Sequence, residues 1–138
     1  MNRCVGTLYD GTPPLARFFG LSLGMHIADV PPSPSIRWEQ QRSGNCETYV
    51  ALTPTSSESL SFDEMEFCDD RLMLVVMKTR GTASGSLVLR TLTDSYGPGD
   101  NSTVNRYRYS WSGQNKQVVL EFDPSTQVTT VSALWRVE

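Results

Sequence analysis

The acidic stretch "FDEMEFCDD" sets Asp63, Glu64, Glu66, Asp69 and Asp70 close together. Paired carboxylates can serve as acid and base on a sugar, or ligate calcium through oxygen. This spacing fits no calcium loop, and acids at a strand end beside a turn are usually solvated, so no metal site is expected. His26 is the only histidine. Any Ser-His-Asp or Cys-His chemistry would have to use it, yet it sits among apolar residues and no serine or cysteine lies in a nucleophile motif. Cys4, Cys46 and Cys68 form no Cys-x-x-Cys pair and have no histidine partner for zinc, so they read as three reduced thiols. "RGTASGS" has glycines but neither the lysine nor the following helix of a phosphate loop, and reads as a hairpin connection. No catalytic residue is expected.

The densest group of large side chains is "RYRYSW". In a strand, Tyr107, Tyr109 and Trp111 share one face while Arg106, Arg108 and Ser110 share the other. An ordinary half-buried sheet would turn the aromatics inward and the arginines to water. A ligand-binding barrel would turn Arg108 inward to meet an anion, since an unpaired interior charge costs several kcal/mol. An exposed Arg/Tyr platform for a single strand or a protein is the third arrangement. The two faces cannot both point inside.

Composition narrows the partners. The chain has 138 residues, 38% hydrophobic and 20% charged, with a net charge of −3. That is one domain, 1–138, able to bury about two-thirds of its unfolded surface. Nucleic-acid binders usually present a strongly basic face, and an acidic chain argues against that partner. The start lacks the apolar segment of a secretory signal, and no apolar run reaches the roughly 20 residues of a membrane span. A cytoplasmic location follows as the expectation.

The elements that must position these residues are mostly strands. Residues 12–29 predict two short helices, opened by Thr12 with Pro13 and Pro14, broken at Gly20 and stopped by the prolines that follow. From Ile36 onward, apolar and polar residues alternate in short runs. "SIRWEQQ" and "ETYVALT" flank a turn at "RSGN"; "LSFDEMEF", "RLMLVVMK", "SLVLRTLT", "TVNRYRYSW", "KQVVLEF" and "VTTVSALWRV" follow as further strands, the last two joined by a tight turn at "DPSTQ". Many short antiparallel strands in so short a chain close most economically into a barrel, which removes exposed edges.

This order resembles the intracellular lipid-binding proteins of the calycin superfamily: a strand beginning Val5-Gly6-Thr7, a helix-turn-helix in "FFGLSLGMHIA", then antiparallel strands to the end. The resemblance implies an up-and-down β-barrel with a short N-terminal helix-turn-helix lid. In that register Arg108 matches the family's internal carboxylate-binding arginine, before Ser112-Gly113. The family's second clamp strand here reads "SALWRVE", with Ala133 and Trp135 in place of its arginine and tyrosine. A second calycin group is also similar: Trp38-Glu39-Gln40-Gln41-Arg42-Ser43 and "SLVLRT" look like segments of the S-type phycobiliprotein lyases, which would imply a bilin cofactor at Trp38 and Arg42.

The expectation is therefore a non-enzymatic β-barrel that binds a small hydrophobic, anionic ligand. Arg108 would be its charge partner, helped by Arg106 and Arg90, with Trp135 in the lining and Phe18 and Phe19 at the entrance. Through the lid it would touch a membrane or a protein transiently. The alternatives are a bilin lyase or chaperone of the same fold, and an assembly subunit with a filled barrel.

Overall fold

The structure is a computed structural model that describes residues 21, 23–30, 38–52, 61–101, 107–113 and 115–135. Eight strands and one α-helix account for most of them: β1 (Trp38–Ser43), β2 (Cys46–Ala51), β3 (Ser61–Cys68), β4 (Arg71–Arg80), α1 (Thr82–Tyr96), β5 (Asp100–Asn101), β6 (Arg108–Gly113), β7 (Lys116–Asp123) and β8 (Val128–Trp135). All eight strands form one antiparallel sheet in the order β1-β2-β3-β4-β8-β7-β6-β5. Two hairpin series meet where β4 pairs with β8, and α1 carries the chain from the middle of the sheet to its far edge.

The expected barrel is not closed. β1 and β5 end the sheet on opposite sides and do not pair with each other. An open sheet must cover its apolar face with another layer, and here that layer is α1. The segment "SLVLRTLT", expected as a strand, lies within this helix. Gly85, Val88, Leu92 and Tyr96 are its buried residues, a spacing of three and four that suits a helix; a short apolar run does not separate the two by alternation alone. Gly97, at φ 90°, ends the helix and donates its N–H to the Thr93 carbonyl, the left-handed cap that glycine makes readily.

The expected helix-turn-helix lid is not shown. Residues 12–20 lie outside the described residues, but Gly24 to Ile27 run beside the start of β4. Gly24 N–H donates to the Leu72 carbonyl at 2.7 Å, Leu72 N–H to Met25 at 2.9 Å, and Ile27 N–H to Asp70 at 2.8 Å. Gly24 turns at φ 88° and His26 is extended, followed by a single 3-10 turn over Ile27–Asp29. Leu21 and Leu23 are buried in the core.

Register explains where the core sits. Directly opposed residues share a face, so Trp111, Val118, Ala133, Val75 and Met65 form one row across five strands. Tyr109, Leu120, Val131, Met77 and Phe62 form the next. Both rows belong to the apolar core, together with Val88, Leu92 and Tyr96 of α1. The aromatics of "RYRYSW" therefore face inward, and Arg108 is exposed opposite Glu121 on the outer face.

The turns follow their chemistry. Gly44 and Asn45 close β1 to β2, with Gly44 at φ 60°. Asp69 and Asp70, both at positive φ, close β3 to β4, the arrangement of a primed hairpin turn. At the β7–β8 turn, Ser125 donates its N–H and its hydroxyl to the Asp123 carboxylate, at 2.9 and 2.7 Å. These bonds hold the Asp123 carboxyl below its ordinary range. Their stabilisation is present at neutral pH and is lost as pH falls through that lowered value.

Cys46 and Cys68 are not reduced thiols: they form a disulfide between facing positions of β2 and β3. It ties together the β1–β2 and β3–β4 turns, where Asp69 N–H also donates to the Asn45 carbonyl at 2.9 Å. Cys4 lies outside the described residues.

Candidate ligand site

Two concavities stand out among the described residues. The larger, about 570 Å3, opens around the β7–β8 turn and is walled by Lys78, Glu121, Asp123, Pro124 and Thr126, among others. Its charged walls face water, and Lys78 is already paired with Asp63 at 3.5 Å. The smaller, about 260 Å3, lies between α1 and the covered face of β6, β7 and β8. Its walls are mainly apolar with a few polar groups, the character of small-molecule sites. The smaller cavity is the candidate site.

α1 supplies one wall with Thr82, Gly85, Ser86 and Leu89, and the sheet supplies the other with Tyr107, Tyr109, Leu120, Phe122 and Thr129. The rings of Tyr107 and Phe122 lie 5.9 Å apart between centroids, tilted by 58°. Thr129 is completely buried. Its hydroxyl oxygen has no hydrogen-bond partner among the described residues, an uncommon state for a buried polar group.

The helix reaches Thr129 because residue 85 is glycine. A Cβ there would stand 2.3 Å from Thr129 Oγ1 and at ordinary distances from Thr129 Cβ and Phe122 Cδ1. Overpacking of this kind costs about 1–3 kcal/mol, against about 1 kcal/mol of helix propensity gained by alanine. Gly85→Ala should therefore destabilise the protein by up to about 2 kcal/mol in urea unfolding. In a Thr129→Ala background the same change should be neutral or stabilising, a coupling read directly from the double-mutant cycle. Equal effects in both backgrounds would mean that Gly85 does not rest on Thr129.

Most residues expected to bind ligand lie elsewhere. Arg108 is on the outer face, and its carbonyl accepts a bond from Asn101 Nδ2 at 3.0 Å. Arg90 is exposed on α1. Arg106, Phe18 and Phe19 lie outside the described residues. Trp135 is half-buried, with its ring against Gly24, where a Cβ would meet Cζ3 at 2.7 Å, and with Lys116 Nζ 6.0 Å from the ring centroid. It takes no part in the cavity wall.

Trp38 and Arg42 are on β1, at the opposite edge of the sheet. Register puts them on one face with Gln40, Glu47 and Tyr49. Arg42 pairs with Glu47 at 3.5 Å, and Gln40 Nε2 donates to the same carboxylate. Burial, then the neighbouring Glu47 charge, pushes the Tyr49 phenol above the ordinary tyrosine range. These contacts hold an edge hairpin together. His26 caps the 3-10 turn, its Nδ1 accepting from Ala28 N–H at 3.0 Å. Among the described residues no three metal-ligating side chains come together, and "RGTASGS" opens a helix after all but has no lysine to bind phosphate.

The cavity residues that sequence reasoning passed over are Gly85, Leu89 and Thr129. Their signal was the helical spacing of Gly85, Val88, Leu92 and Tyr96, hidden under an apparently alternating run. Tyr107, Tyr109 and Phe122 were visible as large apolar groups, but their shared cavity depends on α1.

Together these features define a helix-covered, open antiparallel sheet with a small apolar cavity between its two layers. No protein-family model, curated protein or solved structure matches the chain.

Proposed function

We infer that this protein is a non-enzymatic binder of a small, uncharged and mainly apolar molecule, held between α1 and the sheet. The carrying observation is the cavity of about 260 Å3 lined by Leu89, Leu120, Tyr109, Phe122 and Thr129, whose buried hydroxyl has no partner among the described residues. Among the described residues its lining holds no carboxylate, ammonium, guanidinium or imidazole. An ionised ligand would find no counter-charge among these described residues, which is costly, and this favours a neutral ligand here over the anionic one expected at Arg108. Among the described residues the lining offers no base beside its hydroxyls, which supports binding over catalysis.

A bilin is a poorer fit. An apolar cavity of about 150 Å3 takes benzene, so one of about 260 Å3 suits one or two rings, far short of a linear tetrapyrrole.

Native mass spectrometry of the protein from its own source tests this function. The expected result is a small adduct that is released on denaturation. A bare mass under conditions that preserve the fold, together with no uptake of added small aromatic or aliphatic molecules, would contradict it.

A further inference from the structure

The geometry points to a ligand class for this cavity, resting on the binding function just proposed: an uncharged aromatic molecule of one or two rings that carries a hydroxyl or carbonyl. Its ring lies against Tyr107, Tyr109 and Phe122, and its polar atom meets Thr129.

Three observations converge on that class. Tyr107 and Phe122 are neighbours across β6 and β7, where Phe122 N–H donates to the Tyr107 carbonyl at 3.0 Å. Tyr109 follows one row along, opposite Leu120. The sheet wall of the cavity is thus largely aromatic, and aromatic rings favour offset or edge contacts with one another. The volume of about 260 Å3 accommodates a bicyclic ring system.

Thr129 supplies the third. A hydroxyl can donate one hydrogen bond and accept others, and one buried without a partner carries the cost of its lost hydration. Gly85 lies against it from the helix side, and Thr129 is itself one of the residues that line the cavity. A neutral hydroxyl or carbonyl satisfies it without bringing a charge into the apolar wall. A plain hydrocarbon would fill the space and leave Thr129 as it is.

The test compares 2-naphthol, naphthalene and 2-naphthoate, which share a ring system, by amide chemical-shift titration of the full chain. Wild type should bind 2-naphthol about three- to tenfold more tightly than naphthalene, the value of one net hydrogen bond, and 2-naphthoate more weakly than either. Thr129→Val keeps the side-chain shape without the hydroxyl and should abolish the preference for naphthol over naphthalene. Thr129→Ser should retain it. Equal binding of naphthol and naphthalene by wild type would overturn the ligand class while leaving the binding function standing. So would a naphthol preference that survives in Thr129→Val. Binding of none of the three, or shifts confined to residues remote from Leu89 and Tyr109, would overturn both. The wild-type ranking decides even if a variant fails to fold.

Discussion

Trp111→Ala should remove about 3–5 kcal/mol of folding stability, the usual range for deleting a large buried aromatic. The indole is fully buried at the centre of the core, in the row with Val118, Ala133 and Val75. Its Nε1–H donates to the Gly97 carbonyl at 2.8 Å, the residue that ends α1. Gly99 lies close enough that a Cβ there would stand 2.8 Å from the ring. Alanine would therefore open a cavity and strand a carbonyl at the helix end together. Domains of this size have about 5–15 kcal/mol in total, so the variant should be partly unfolded at physiological temperature. Trp111→Phe keeps most of the volume and should cost less, about 1–3 kcal/mol, chiefly through the unmet Gly97 carbonyl. Urea unfolding followed by circular dichroism measures both. A loss below about 1 kcal/mol for Trp111→Ala would mean that α1 does not dock through this contact.

Removing the disulfide should have the next largest effect. Cys46 and Cys68 are 22 positions apart in sequence, and a cross-link of that span contributes about 2–4 kcal/mol, largely by restricting the unfolded chain. The doubly substituted Cys46→Ala, Cys68→Ala protein should unfold at a lower urea midpoint than the oxidised wild type. Reduced wild type should approach it. The check on the pairing itself is the mass of the denatured, non-reduced chain digested between the two cysteines, which should give one linked peptide pair. Separate peptides bearing free thiols would contradict the pairing.

Much of the sheet can be read from the sequence. The turns at "RSGN" and "DPSTQ" form where glycine, asparagine and proline set them, while alternation sorts "RYRYSW" into an aromatic face and an arginine face without saying which turns inward. The helix is different. Val88, Leu92 and Tyr96 need a helix to share a face, but Leu87, Leu89 and Thr91 also make the run look like a strand, and only the tertiary setting decides. With α1 read as a strand, the sheet has no covering layer and must close, which is why a barrel looked economical. The same substitution hides the site, since the cavity exists only where a helix meets the sheet. The cysteine pairing is equally non-local: it needs the register in which Cys46 faces Cys68, fixed by two separate turns. Arg108 is expected to bind ligand through the resemblance to the lipid-binding proteins, and it is exposed on the face opposite the inward aromatics.

The central claim is that the space between α1 and β6–β8 is where a small molecule is held, and Leu89→Trp tests it most directly. Leu89 lines the cavity from the helix and is packed against the core, so an indole there fills the space from a position already facing it. Native mass spectra of wild type and Leu89→Trp, prepared identically and shown by circular dichroism to share a fold, would be compared. The account predicts a releasable small adduct on the wild type and none on the variant. An adduct retained equally by both, or absent from both, would contradict it.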